Sequence, residues 1–269
     1  MGKGNLPEMS FWDHVDELRK TLLKIGGVLV VFAIGFFIYM PDIFDNVILA
    51  PCRGDFVLYR LFERITTGIP GLPQFTTEGF KVDLINIQLA SQFFIHMTTS
   101  LWFALVFAFP VVIWLLWKFI KPALYENERK GSEKAFFFGT IMFFIGVAVG
   151  YFVVFPITLR FLAEYKVSDM IPNQISLDSY MDNFLMLIFI MGLVFELPLV
   201  GWLLGKMGFL HREFFGKFRR HAIVTLLILS AVITPTGDPF TLTVVFMPLY
   251  LLFEMTAFLV DPTPSVDED

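Results

Sequence analysis

Several stretches of this chain run for roughly twenty residues almost without charge, and that pattern restricts the chain to a fold solvated by lipid. A transmembrane helix needs about 20 mainly apolar residues to cross roughly 30 Å of hydrocarbon. Residues 22–39, 93–119, 135–155, 184–204 and 242–260 meet that requirement. Composition agrees: 56% of the 269 residues are hydrophobic, only 17% are charged, and the mean hydropathy is +0.70. Soluble domains carry roughly a quarter charged residues, so an apolar excess of this size calls for lipid rather than a larger core.

The breaks between these runs define the expected organisation. Pro41 is expected to end the first span. Residues 41–88 form the longest non-spanning stretch, cut by Pro51, Gly54, Gly68, Pro70, Gly71, Pro73 and Gly79 into short pieces. Pro110 is expected to kink the second span, and Gly146-x-x-x-Gly150 in the third lets helices approach closely. A further apolar run, 222–233, has only 12 residues, about 18 Å at 1.5 Å per residue. A tight turn at Thr234, Pro235, Gly237, Asp238 and Pro239 follows it. The expected fold class is therefore an all-α membrane protein with six transmembrane helices. Residues 1–21 are expected to hold an N-terminal helix opened by a Ser10–Asp13 capping box, and 206–220 a basic loop. An acidic tail is expected at 261–269.

Lys and Arg alternate between the two sides of these spans. Fourteen lie at the N-terminus (Lys3, Arg19, Lys20, Lys24), between spans two and three (Lys118, Lys121, Arg129, Lys130, Lys134), and between spans four and five (Lys206, Arg212, Lys217, Arg219, Arg220). The opposite side has six: Arg53, Arg60, Arg64, Lys81, Arg160 and Lys166. The positive-inside rule then places both termini in the cytoplasm. The net charge of −5 argues against a nucleic-acid partner.

Glu196 in the fourth span is costly in lipid, about 2.5–3.5 kcal/mol on insertion scales, and is expected to face the bundle or a wet cavity. It is either a contact point for a partner helix or a proton-sensitive site, or else a carboxyl hydrogen-bonded between helices. Glu254 in the last span is a weaker case, because its position near a helix end allows snorkelling. Glu17, Glu126 and Glu128 lie amid basic residues on the cytoplasmic side. Loop carboxylates are ordinarily solvated, yet two acidic sites on rigid elements can clamp two adjacent guanidinium groups, which pair bidentately with carboxylates. No H-E-x-x-H, G-x-S-x-G, P-loop or G-x-G-x-x-G pattern occurs, so no enzyme activity and no cofactor are expected. His96 and Ser230 lie in or near spans without the setting of a membrane protease. His14, His211 and His221 have no metal spacing, and the single cysteine, Cys52, excludes an intramolecular disulfide. On residues alone, the rival reading is a proton-coupled secondary transporter with Glu196 and Glu254 in proline-broken helices.

Six segments, read together, resemble the TatC family. They are His14-Val15-Asp16-Glu17-Leu18-Arg19-Lys20; Trp117-Lys118-Phe119-Ile120-Lys121-Pro122-Ala123-Leu124-Tyr125-Glu126-Asn127-Glu128-Arg129; Tyr151-Phe152-Val153-Val154-Phe155-Pro156; Phe195-Glu196-Leu197-Pro198; Thr234-Pro235-Thr236-Gly237-Asp238-Pro239; and Met247-Pro248-Leu249-Tyr250-Leu251-Leu252-Phe253-Glu254. They follow in the family's order from about residue 10 to 260. The resemblance implies the receptor subunit of the twin-arginine translocase, which exports folded proteins on the proton-motive force. It implies a concave, glove-like bundle with short fifth and sixth helices in the bacterial inner membrane. By similarity, Glu17 and Glu128 would bind the twin arginines of a signal peptide, with Arg19 and Phe119 nearby. Pro51 of the first outer loop, Glu196 on the concave side and Asp238 of the last outer turn would serve receptor function and transport. The implied partners are twin-arginine signal peptides, single-span TatA- and TatB-type subunits, and further copies of the chain in the receptor complex. The chain departs from the family's commonest pattern in its long first outer loop, residues 53–83.

Overall fold

In a lipid solvent each backbone N–H and C=O must find a partner within the protein, which favours continuous helices, and the chain follows this rule further than its prolines suggest. The computed structural model describes residues 11–67, 77, 79–120, 126–206 and 209–260, with side chains throughout except at 11, 13, 67, 120 and 126–135. The Ser10 cap, the 121–125 part of the second–third loop and the acidic tail 261–269 lie outside the described residues.

The helices are α1 (Phe11–Ile43), α2 (Val57–Thr67), α3 (Ser91–Ile120), α4 (Glu126–Val149), α5 (Phe155–Glu164), α6 (Leu177–Val194), α7 (Leu197–Lys206), α8 (Arg212–Ile233) and α9 (Pro239–Leu259). Five helical stretches are long and apolar enough to cross a membrane: His14–Cys52, Ser91–Phe119, Phe136–Glu164, Leu177–Lys206 and Pro239–Leu259. Two expected stops are not stops. Helix α1 continues past Pro41 to Ile43 and then widens into a π turn, Phe44–Ile48. The third span passes through a second π turn, Gly150–Val154, into α5, where Pro156 sits in the first turn. At Pro156 the wide turn covers residue 152, whose carbonyl proline's missing N–H and bulky ring would disturb in a regular helix; Pro41 instead lies within α1, ahead of its π turn. The expected basic loop 206–220 is also corrected: α8 begins at Arg212, so Lys217, Arg219 and Arg220 are helical. Phe215 accounts for part of this, its ring buried against Phe253 of α9 at 5.4 Å.

Two compact units form. The first is Met1–Tyr39 with Met97–Thr140. Here Phe36 of α1 packs against Phe103 and Phe107 of α3 at 5.6 and 5.0 Å. Trp117 of α3 meets Phe136 of α4 at 4.4 Å. Most apolar side chains of α1, such as Val30, Val31 and Ile38, are exposed, as lipid-facing residues are.

The second unit is Met40–His96 with Ile141–Asp269. Gly146 and Gly150 lie against the backbone of α6 at Met191, Gly192 and Ile188, the close approach expected of their spacing. Gly201 brings α7 onto Thr256 of α9 in the same way, and α9 also packs along α8. Ser230 and Thr256 donate to the carbonyls of Leu226 and Leu252 at 2.8 and 2.7 Å. Such back-bonding satisfies a hydroxyl inside an apolar layer. Segments between the spans are stitched by a short parallel pair, β1 (Leu84–Ile85) with β2 (Ile175–Ser176), and by the N–H of Val82 on the Cys52 carbonyl at 3.0 Å.

Candidate functional site

The candidate residues divide between the two units. In the first, the ring of His14 stacks on Phe119, with centroids 4.5 Å apart and planes 24° apart. This contact joins the opening turns of α1 to the closing turn of α3. Glu17 follows His14 by three residues, so it lies on the same side of α1, whereas Arg19, two residues further, turns away. Glu17 and Arg19 are both exposed, and Phe119 is half-buried. Glu128 falls in the first turn of α4, which starts six residues after α3 ends; its side chain, like that of Glu126, lies outside the described residues.

In the second unit Pro51 is buried in a 3-10 turn, Ala50–Cys52. The π and 3-10 turns around it leave carbonyls without regular helical partners. Three tyrosines from three elements fill them. Tyr59 of α2 donates to the Pro51 carbonyl, and to that of Pro156, at 3.1 Å each. Tyr151 donates to Val47 at 2.8 Å, and Tyr180 of α6 to Ile48. Burial pushes the Tyr59 hydroxyl well above the ordinary tyrosine range, so it stays a donor at all physiological pH. Arg160 lies over the rings of Tyr59 and Phe80 at 5.4 and 4.8 Å and pairs with Glu164 at 3.0 Å. Sequence reasoning missed this bracket around Pro51, because the tyrosine partners lie up to 132 residues away. The available signal was that a tyrosine at the end of a span needs somewhere to send its hydroxyl.

Glu196 occupies the elbow between α6 and α7. Pro198 cannot donate to a preceding carbonyl, and the chain turns at Phe195 and Glu196 before α7 begins. The residue is half-buried, and its Oε1 is buried with no hydrogen-bond partner among the described residues. Glu254, by contrast, is satisfied: Arg219 of α8 donates to it at 2.6 Å and Tyr250 at 2.9 Å. Between α5 and α9 runs an open apolar groove of about 800 Å³, lined by Val153, Ile157, Phe195, Met247 and Leu251, with Glu254 at its edge.

Asp238 caps α9. Its carboxylate accepts from the Thr241 N–H at 2.7 Å and the Thr236 hydroxyl at 2.6 Å, while Gly237 takes the left-handed φ of +60° that the turn requires. Partial burial opposes ionisation, but these hydrogen bonds outweigh it and hold the carboxyl below its ordinary range. Asp238→Ala is expected to cost about 1 kcal/mol of stability at pH 7. With a depressed folded pKa, that contribution is complete above the ordinary aspartate value and disappears as pH falls through the folded value. The gap in thermal midpoint between wild type and Asp238→Ala should therefore be constant from pH 5 to 7 and begin to narrow only as pH falls below about 4. A gap that does not narrow at all as pH falls below the ordinary aspartate value would contradict the assignment.

The family description that matches residues 13–248 of this chain is that of the Sec-independent protein translocase protein, TatC. A TatC protein of Blattabacterium is 32% identical over 258 residues, covering 96% of this chain and 97% of its own. One from Helicobacter pylori (strain 26695) is 31% identical, covering 95% of this chain and 90% of its own. Two crystal structures of a twin-arginine translocase receptor, TatC, superpose with TM-scores of 0.70 and 0.73 at 28% and 26% identity. They cover 91% and 92% of this chain, and 97% and 99% of their own.

Proposed function

Since the chain belongs to the TatC family of Sec-independent protein translocase components, we propose that it is the receptor that captures twin-arginine signal peptides and couples them to export of folded proteins on the proton-motive force. Family membership sets aside the small-solute carrier. The observation that carries the receptor reading is the His14–Phe119 stack. It supports a cytoplasmic site in which Glu17 of α1 and Glu128 of α4 hold the two guanidinium groups, with Phe119 supplying an apolar wall and Arg19 on the adjacent flank. Carboxylates set among basic loops form local wells for a cation that the surrounding charge would otherwise repel.

The proposed topology has six spans, with α8 as the short fifth and α9 as the sixth, both termini in the cytoplasm, and a concave glove-like bundle in the bacterial inner membrane. The twelve-residue, mainly apolar run at the end of α8 crosses a bilayer only if it thins or the helix lies against its neighbours. Pro51, Glu196 and Asp238 serve transport and the contacts with single-span TatA- and TatB-type subunits and with other copies of the receptor. The test is site-specific photocrosslinking of a twin-arginine signal peptide to positions around Glu128 in membranes. Crosslinks to 17 and 119 as well as 128, lost when the peptide's arginine pair becomes Lys-Lys, are the expected result. Equal capture of the Lys-Lys peptide would refute the reading.

Glu196 gives a separate expectation. Its buried, unpartnered oxygen is available to a donor from a partner helix, and such bonds are worth about 1 kcal/mol in membranes. Glu196→Ala should lower export several-fold while leaving signal-peptide affinity within about twofold, and Glu196→Gln should keep most of the export. Export unchanged in the alanine variant would count against any such contact.

A further inference from the structure

We infer that α2 is an interfacial helix, held at membrane depth with an exposed apolar stripe in the acyl layer and Arg60 and Arg64 on phospholipid phosphates of the leaflet opposite the basic loops. Its depth follows from what it packs against. The Tyr59 hydroxyl bonds the carbonyl of Pro156, and Phe56, at the start of α2, lies against Tyr151 and Phe152 at 5.7 and 6.1 Å. All three partners belong to the span Phe136–Glu164. Pro156 lies eight residues before the end of that span, about 12 Å at the helical rise. Helix α2 is therefore beside the outer part of the span rather than beyond it.

The helix divides cleanly by face. Leu58 and Tyr59 are buried, and Phe62 packs with them. Val57, Leu61 and Ile65 recur every four residues and are 67%, 50% and 47% exposed. Arg60 and Arg64, both exposed, flank that stripe on the side away from the buried face, at about 100° per residue. Phe152, which Phe56 meets at 6.1 Å, is itself an exposed apolar residue of the span, so lipid wetting the span reaches the start of α2. An apolar stripe edged by cations is the form of a helix lying in the headgroup boundary, where long arginine side chains reach up to phosphate. The pair Arg60–Asp55, exposed and 3.5 Å apart, is too weak a surface contact to hold the guanidinium away from it. The name of the leaflet rests on the topology proposed above; the depth of α2 does not.

The test uses the full chain in phosphatidylcholine nanodiscs, with and without phosphatidylglycerol, carrying a spin label introduced by Leu61→Cys. Cys52 is buried and should remain unlabelled, which wild type treated in parallel verifies. Labels introduced by Val31→Cys in the exposed face of α1 and Asp169→Cys in an outer loop set the lipid and water limits. The ratio of oxygen to nickel-chelate accessibility at position 61 should lie between those at positions 31 and 169 and several-fold above the latter. Arg60→Gln with Arg64→Gln should lower that ratio in both lipid mixtures, because phosphate is common to them. A ratio at position 61 equal to that at 169 overturns the inference. So does line broadening that disappears when labelled protein is diluted with unlabelled, which would identify a second copy as the occupant.

Discussion

Glu128→Ala and Glu17→Ala should each weaken capture of a twin-arginine signal peptide by about a hundredfold, with little change in thermal stability. Truncating one partner of a hydrogen-bonded charge pair costs about 2–5 kcal/mol, and the lower half of that range corresponds to this loss. Arginine is planar and forks onto a carboxylate with two parallel N–H donors, whereas lysine offers a compact point charge. A Lys-Lys peptide should therefore bind wild type nearly as poorly as the twin-arginine peptide binds either variant. Glu17 is exposed on α1, so its removal leaves no cavity and no buried orphan. Fluorescence titration of labelled signal peptide into the purified, lipid-embedded chain measures the loss directly. Affinity within threefold of wild type for the doubly substituted chain would refute the assignment of both carboxylates.

Gly146→Ala should be the most damaging small substitution in the second unit, at about 3 kcal/mol, the upper end of what overpacking costs. A Cβ at position 146 would overlap the carbonyl oxygen of Met191 and come within 2.8 Å of Phe195 Cβ and 2.9 Å of Gly192 Cα. Two of these neighbours are backbone atoms of another helix, which cannot swing aside as a side chain can. Accommodating the methyl requires α4 and α6 to separate along their contact, and the adjacent elbow at Glu196 would move with them. Gly192→Ala meets the edge of the Phe143 ring and the Val147 side chain, groups that can rotate, so it should cost less. Gly26→Ala in α1 has nothing within 4 Å and should be neutral or slightly stabilising, since alanine favours helix. Unfolding titrations of the three variants in mixed micelles should rank them in that order. A Gly146→Ala variant as stable as wild type would mean the helices do not approach as described.

The solvent class of this chain was legible residue by residue. Hydrophobic transfer is close to additive over a segment, so the long apolar runs show which segments are apolar enough to cross lipid without knowledge of the fold. Glycine spacing foretold the close helix contact at Gly146 and Gly150, because the absence of a side chain is itself the interaction. The Thr-Pro-x-Gly-Asp-Pro turn was equally local: its φ and its cap involve residues within three positions of Asp238. The motif order around Glu17, Trp117 to Arg129 and Phe195 to Pro198 was sufficient for the family.

What the sequence could not supply was the identity of distant partners. Pro41 and Pro156 suggested ends, but helix continues past both: Pro41 lies within α1, and the chain reaches Pro156 through the Gly150–Val154 π turn into α5. Lys217, Arg219 and Arg220 looked like loop charges; the burial of Phe215 against α9 drew them into a helix, and Arg219 then neutralised Glu254. The three tyrosine hydroxyls around Pro51 bond carbonyls 8 to 132 residues away. The physical reason is one of range. Apolar solvation is decided by each segment and the medium, so sequence alone determines that this chain lives in lipid and which segments are apolar enough to cross it. A buried hydrogen bond or ion pair is decided by which two surfaces meet, and that only the tertiary structure settled.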